Sequence, residues 1–470
     1  MTSRAAERLA EAASRTTWDA LPDATRARAR VVLLDTLAGM CGGASSPLHR
    51  RWDELLRGDS GAVAAGSAGG ATVIGREAGA SVADAVFLNA TLPTVLQLDE
   101  GYRTSRGHPG IHVVPVALAI GEQQGRTLGD VVAAMVAGYE VAARIGVAMG
   151  GTLAHIHPHG NWGAVGAAVT AAWLYSDRSA DAIARAIDIA SGVAGMHDRR
   201  AASDGAGMHH LWASTGAHTG LMSGVAAAAG AEAVAGALTD HLLARAGARP
   251  QPALLVAGIG DDSFDAYAID DGYVKFWAAC GHTHTAIGAA LQIAGEHGPF
   301  AADDVADAEV HTFRAAASLD RSDATTALGA RFSIPFTVAA ALTEGALTPD
   351  SLDDHRLDAL RPLAQRVRVA HDPAMDAGYP DHGRPLHLRV RLRDGRVYQT
   401  DALLSVGDPE LPAESGMLDE KAVALFDRSR PGTGEALVRS FHALGADQLI
   451  APWARGLRGE LGSAGERNQT

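Results

Sequence analysis

Sixteen consecutive residues, Gln97 to His112, hold two carboxylates (Asp99, Glu100), two guanidinium groups (Arg103, Arg106) and two imidazoles (His108, His112). Glycine and proline interrupt regular structure at Gly107-His108-Pro109-Gly110, so the segment reads as a loop or a helix end. A loop with so many titratable groups can carry protons to and from a bound molecule. Composition alone favours the plainer reading, a solvated, charged surface loop. A second cluster follows at His155-Ile156-His157-Pro158-His159-Gly160-Asn161-Trp162-Gly163. Pro158 biases His157 toward an extended conformation, and strand alternation would set the three imidazoles on one side. Gly160, Gly163 and Gly166 lead into an alanine-rich helix whose N-terminus would attract an anion. The imidazoles could therefore cradle a carboxylate. A surface histidine run and a metal site, which would need a further ligand, are the competing readings.

Two more clusters lie downstream, Met208-His209-His210-Leu211-Trp212 and Tyr273-Val274-Lys275-Phe276-Trp277-Ala278-Ala279-Cys280-Gly281-His282-Thr283-His284. Of the 40 basic residues only Lys275 and Lys421 are lysines. A codon bias toward arginine explains that scarcity without function. Yet a lysine retained amid aromatics suggests a need for a compact cation that can give up its proton. Desolvation at Lys275 would lower its pKa and ease proton exchange. A snorkelling surface lysine is the alternative.

These clusters need elements to position them. A chain of 470 residues exceeds one ordinary core, and its 47% hydrophobic and 20% charged residues are those of a globular protein. Up to about residue 265 the apolar periodicity is helical, at Arg26 to Met40, Leu128 to Met149, Ala164 to Tyr175, Ala180 to Ala194 and Thr215 to Ala229. The last three are alanine-rich on most faces, as helices inside a bundle would be. Gly66 to Gly70 reads as a loop. Alternating segments then appear at Ala308 to Phe313, Arg366 to His371 and Leu386 to Thr400, the last with a hairpin turn at Asp394-Gly395. Helical patterns at Thr283 to Glu296 and Pro335 to Glu344 interrupt them. The expected fold is mainly α: a helical domain from residues 1–265 and 406–470, with a smaller α+β lid domain, 266–405, inserted between. Asp419 to Leu457 returns to amphipathic helix, and the last dozen residues read as frayed.

The formal net charge of −14 argues against a nucleic-acid partner. It would also repel an anionic substrate, so a carboxylate enzyme would need a local cluster of His, Lys and Arg. Two cysteines, Cys41 and Cys280, supply neither a disulfide framework nor the thiolates of an iron–sulfur cluster. No run of 18 apolar residues suggests a membrane span, and Met1 to Arg15 lacks an apolar signal core. A cytoplasmic location is expected.

The order of the clusters resembles the MmgE/PrpD family over about 450 residues. The likeness runs from Val32-Leu33-Leu34-Asp35-Thr36-Leu37-Ala38-Gly39 through Asn89-Ala90, Leu98-Asp99-Glu100, Gly107-His108-Pro109 and Val114-Pro115-Val116. It continues at Gly138-Tyr139-Glu140-Val141, Arg144-Ile145-Gly146, His157 with Gly163, Lys275 with His284, and Ser333-Ile334-Pro335-Phe336. The family includes 2-methylcitrate dehydratase, cis-aconitate decarboxylase and iminodisuccinate epimerase. The resemblance implies a homodimer with its active site where the two domains meet, and neither metal nor organic cofactor. In each reaction a carbon beside a carboxylate loses or gains a proton or CO₂, and the developing charge needs preorganised cations and donors. By resemblance Asp99, His108, His157 and Lys275 form the catalytic set. His108 or Lys275 would exchange the proton, and Asp99 would orient an imidazole or accept a hydroxyl hydrogen bond. Arg103, Arg106, His159, His209 and His284 would bind substrate, with His157 and Arg106 at its carboxylates. The sequence departs from dehydratase-like members at Gln97, where an acid is usual, and in a loop one residue longer before the histidine. It departs again at His209, where a basic residue is common, and at Phe336, where the decarboxylase-like site has tyrosine.

The expected function is a cofactor-independent, dehydratase-type lyase acting on a small polycarboxylate. An epimerase or isomerase of the iminodisuccinate type, using His108 and Lys275 on opposite faces, is the alternative. A cis-aconitate-type decarboxylase is another. A metal-dependent hydrolase built on His155, His157 and His159, or a noncatalytic binding protein, would belong to other classes.

Overall fold

The computed structural model describes residues 4–59, 70–261 and 263–459. The loop read at Gly66 to Gly70, all but its last residue, lies outside the described residues, and so do the final residues read as frayed, all but Gly459. The fold is mainly α, with a four-stranded sheet and a two-stranded one among the described residues.

Long helices form where small and apolar residues allow burial on most faces. Leu128–Ala148 starts at a capping box between Thr127 and Asp130, which satisfies free amides of the first turn. It is long and apolar enough to cross a membrane, but 89% of its apolar window is buried within the fold. It packs on Trp162–Tyr175, which is covered in turn by His210–Ala228. The abundant glycine and alanine have a purpose here. A Cβ placed on Gly138 would come within 2.5 Å of the Gly166 carbonyl oxygen and closer still to the Thr170 hydroxyl. Only a residue without a side chain lets those two helices approach so closely.

This first core draws on both ends of the chain, from Ala5 to Ala278 and again from Ala422 to Leu457. The C-terminal pattern forms three helices, Met417–Ser429, Gly434–Ala443 and Ile450–Ala454, broken by Pro431-Gly432 and by the turn after Leu444. The first of them packs on Asp23–Gly43, where Lys421 Nζ meets the buried Asp35 carboxylate at 2.5 Å.

A second core spans Ala279 to Leu392. After two short strands, β1 (Ile156–His157) and β2 (His197–Asp198), four strands make its sheet: β3 (Val305–Thr312), β4 (Val367–His371), β5 (Leu386–Leu392) and β6 (Val397–Ala402). Their order is β4-β3-β5-β6, with β3 and β4 parallel and the other neighbours antiparallel. A parallel pair needs a crossover, and the helix Ile334–Glu344 lies in it. Alternation sorts the faces: Leu386, Leu388, Val390 and Leu392 are buried while the residues between them are not. The helix His284–His297 packs on β5 and β6. Gly395, at φ 91°, closes the hairpin at the expected Asp394-Gly395 turn.

Candidate active site

The loop after Pro93–Leu96 is shaped by two backbone pairings. Gln97 takes a left-handed φ of 54° and turns the chain inward. Gly101 then pairs with Tyr273, each amide donating to the other's carbonyl at 3.0 and 2.7 Å. In that antiparallel register Asp99, two residues before Gly101, faces Lys275, two residues after Tyr273. A second bridge, Tyr102 with Gly107, doubles the loop back and delivers His108 to the same spot. Residues 176 apart in sequence are thus brought together by backbone geometry.

Asp99 is the centre of the arrangement and is fully buried. Its Oδ1 accepts from Lys275 Nζ at 3.0 Å. Its Oδ2 stands 3.0 Å from His108 Nδ1 and 3.7 Å from His159 Nε2. Burial pushes the carboxyl up, but His108 and Lys275 pull harder the other way, so it lies below the ordinary aspartate range. Lys275 is equally buried, not a snorkelling surface residue. The Asp99 carboxylate supplies the pairing that a buried cation requires.

Hydrogen bonds assign the histidine tautomers. His108 Nδ1 lies 2.6 Å from the Glu100 carbonyl oxygen, an acceptor only, so Nδ1 carries the hydrogen and Nε2 is a free base. Burial, opposed in part by Asp99, pushes His108 down to about 4. His157 has the opposite tautomer: its Nδ1 accepts from the His159 amide at 3.2 Å, so Nε2 carries the hydrogen. His112 donates to the His108 carbonyl at 3.1 Å and accepts from the Gly160 amide at 2.9 Å. That brace holds the first loop to the second cluster. Burial pushes His157, His159 and His209 well below the usual imidazole range.

Glu100 has a separate task. Its Oε1 accepts from the Gly110 amide at 2.6 Å, and Tyr139 hydroxyl donates to Oε2 at 2.9 Å. Burial pushes it up to about 8 against those bonds, so it is largely uncharged at neutral pH while anchoring the start of Gly110–Gln124.

Several expected residues hold different positions. Arg103 straps the loop to the distal part of the chain: Nε donates to the Pro380 carbonyl at 2.6 Å, Nη2 to that of Asp381 at 3.3 Å, and the fork grips Glu410. Arg106 lines the cleft, its Nε unpartnered and its guanidinium 5.5 Å over the Tyr379 ring. His284 is buried against the Ala279 carbonyl at 3.2 Å and lies off the cleft wall. His157 and His159 pack edge to face at 4.4 Å, while His155 stays exposed at the rim, so the second cluster does not present all three imidazoles together. Gln97 and His209, both departures from the dehydratase-like pattern, bond to each other at 2.9 Å. Phe336 is fully buried in the second core, away from the cleft.

The ligating atoms of His157, His159 and His209 lie within 4.8 Å of one another, as do those of Asp99, His108 and His159. To ligate through Nε2, His157 would have to move its hydrogen to Nδ1 and forfeit the bond from the His159 amide. His209 Nε2 is likewise occupied, by the Gln97 amide, which is oriented by the Thr94 carbonyl at 2.5 Å. His159 alone has both nitrogens free of hydrogen bonds. The donor set therefore fits a metal only after these bonds are exchanged.

The cleft over these groups has a volume of about 710 Å³, a size suited to a small organic ligand. His108, His157, His159 and Lys275 face residues of the second core, among them His282, Tyr379 and Arg384. Arg384 pairs with Asp408 at 2.8 Å and lies 4.3 Å over the Tyr273 ring. Tyr379, Arg384 and Arg199 stand outside the four histidine-bearing clusters, and no local pattern marks them. Tyr273 and His282 lie inside the fourth cluster; the antiparallel pairing with Gly101 that selects Tyr273 is invisible in one strand alone.

Two family models match the chain: the MmgE/PrpD N-terminal domain over residues 7–243 and the MmgE/PrpD C-terminal domain over residues 277–439. No curated protein matches it.

Proposed function

The chain belongs to the MmgE/PrpD family, and on that premise we propose that it is a dehydratase-type lyase. It removes a proton beside a carboxylate of a small hydroxy polycarboxylate, using side chains alone. The family is commonly enzymatic, with dehydratases prominent in it.

The observation that carries the reading is the pair of opposed tautomers in one cleft. His108 offers a bare Nε2, held in that form by the Glu100 carbonyl at 2.6 Å and by Asp99. His157 offers an Nε2–H, because its Nδ1 is occupied at 3.2 Å. Elimination of water needs a base for the C–H proton and a proton for the departing hydroxyl: His108 takes the first, the neutral His157 imidazole holds the hydroxyl oxygen by a hydrogen bond, and the proton carried on His108 leaves with the hydroxide as water. As His108 takes the proton, the Asp99 carboxylate stabilises the imidazolium. Lys275, on the other oxygen of the same carboxylate, supplies positive charge where the substrate carboxylate gathers electrons. Lys275 donates to one oxygen of the Asp99 carboxylate, and His108 Nδ1 lies 3.0 Å from the other.

Proton NMR in deuterated water tests the reading, with citrate-like, aconitate-like and aspartate-derived polycarboxylates as substrates. Loss of water from a hydroxy acid, with a new vinylic signal, is the expected outcome. Deuterium exchange without net loss of water would replace it with epimerase chemistry. Release of CO₂ would replace it with decarboxylation.

A further inference from the structure

Beneath the floor of the cleft, buried nitrogens without a hydrogen-bond partner lie side by side. They are both ring nitrogens of His159, Nδ1 of His209 and Nε1 of Trp212. All three side chains are buried, His159 to 1% exposure. The His159 and His209 rings stand 5.5 Å apart, and Trp212 lies 4.7 Å from His209. The proposed reaction uses none of these nitrogens. A buried nitrogen without a partner costs stability, so the group points to an occupant that supplies the missing bonds. His157 narrows what that occupant is. Its ring packs 4.4 Å from His159 and 5.4 Å from His209, and one nitrogen from each of the three imidazoles lies within 4.8 Å of the other two. Nitrogens bound to one zinc ion stand about 3.3 Å apart, so modest ring rotations bring all three onto a single ion. His157 and His159 line the cleft but His209 does not, so a ligand that touches all three must be as small as one atom.

We propose that His157, His159 and His209 form a binding site for one divalent transition-metal ion such as zinc, and that the ion acts there as an inhibitor. Three imidazoles with a position open to the cleft suit zinc, cobalt or copper and not magnesium or calcium, which take oxygen ligands. His159 has no hydrogen bond to lose and is the anchor. The other two give up a bond each. His157 loses the bond from the His159 amide at 3.2 Å whichever nitrogen it uses, because Nδ1 must then hold the ion or a hydrogen. The Gln97 amide opposes His209 in the same way: it donates to Nε2 at 2.9 Å, which requires Nε2 to be bare of both metal and hydrogen. These exchanges make the site weaker than a dedicated zinc centre, so the ion comes and goes. While bound it holds His157 away from the hydroxyl of the substrate. The inhibition rests on the proposed reaction; the binding site does not.

The test is titration of the whole, chelator-treated protein with Co²⁺, followed by visible absorption. Bands of nitrogen-coordinated cobalt should appear and saturate at one ion per chain; Zn²⁺ should displace them and Mg²⁺ should not. His159→Phe and His209→Phe keep a ring in place and should each weaken binding at least about tenfold. Gln97→Leu removes the donor that competes for His209 and should tighten binding several-fold, a gain that a misfolded variant would not show. Wild-type protein without cobalt bands at submillimolar concentration overturns the inference and leaves water as the occupant. Bands undiminished in both Phe variants overturn it too, because the ion is then held elsewhere, as at the exposed His155 or at Cys280. So does Gln97→Leu that binds no tighter than wild type. If binding behaves as stated but the metal-free protein dehydrates no polycarboxylate, the metal site stands and the lyase reading falls. If water is lost from a substrate at the same rate with the site filled by zinc, the lyase reading stands and the inhibitory site falls.

Discussion

His108 and Glu100 are joined by one hydrogen bond, from the imidazole to the Glu100 carbonyl, yet their substitutions should differ in kind. His108→Gln keeps the size and a donor toward Glu100 but removes the basic nitrogen. Turnover should fall by roughly two orders of magnitude or more, with KM little changed; steady-state kinetics showing near-wild-type kcat would reject His108 as the base. Glu100 yields a different prediction. Its unfolded carboxyl titrates near the ordinary glutamate value, whereas burial raises it to about 8 in the fold. The folded state therefore holds a proton that the unfolded chain releases, and the associated stability is complete at low pH and is lost as pH rises through 8. Glu100→Gln keeps an acceptor for Gly110 and has no charge to bury, while its amide N–H turns to donate to the Tyr139 hydroxyl oxygen, reversing that bond. Melting curves from pH 5 to 9 should show the wild-type protein losing stability over this range relative to the variant, and parallel curves would contradict the assignment. The carboxylates and imidazoles of the first cluster were legible as a titratable group. Their tautomers were not, because these depend on carbonyl and amide partners whose positions follow from the fold.

At the scale of elements, the two lysines of the chain each pin one segment to a buried aspartate. Lys275 joins the segment after Tyr273 to the loop that carries Asp99 and His108, and Lys421 joins the C-terminal helix Met417–Ser429 to Asp23–Gly43. Lys421→Met leaves Asp35 buried without its cation and should cost roughly 3–5 kcal/mol in urea unfolding. The double variant with Asp35→Leu should recover much of that loss, because no charge is then left buried. Additive losses in the double-mutant cycle would mean that the pair does not couple. Arg103 works in the same way, as a strap between the loop and the chain near Pro380 and Glu410. Arg103→Met should therefore loosen both segments, seen as faster amide exchange there, and should weaken substrate binding as a consequence. Helix and strand positions were readable from periodicity, and the hairpin of β5 and β6 from its turn chemistry. The interruption of the C-terminal pattern into three helices follows from Pro431-Gly432, a breaker inside an amphipathic stretch.

Across the whole molecule, burial depresses many imidazoles at once. His108, His112 and His210 are pushed down to about 4, and His157, His159 and His209 further below the usual range. The unfolded chain would protonate these groups near the ordinary imidazole value, so it binds more protons than the fold in the window below. Their contribution is fully present above about pH 6.5 and is lost as pH falls through about 4. The melting temperature should drop steeply between those values. Replacing His159, whose nitrogens have no hydrogen-bond partner, by Phe should soften that acid limb even if activity is lost. An unchanged slope would show that this imidazole is not a source of the acid sensitivity.

The sequence by itself determined the class of fold, the family and which segments carry acid–base groups, because periodicity, turn residues and ordered motifs are local properties of the chain. Tertiary structure decided which of those groups meet. The Gly101–Tyr273 pairing sets Asp99 against Lys275, and the Tyr102–Gly107 bridge brings His108 to the same carboxylate. It also decided which cations are already neutralised and which remain for a ligand. Arg103 and Arg106 are near neighbours in the same loop, yet one is spent on Glu410 and the other faces the cleft. That difference arises from partners hundreds of residues away, and no local pattern encodes it. The loop at His108 is an ordinary charged loop by composition; burial against a distant lysine turns it into a candidate site of proton transfer.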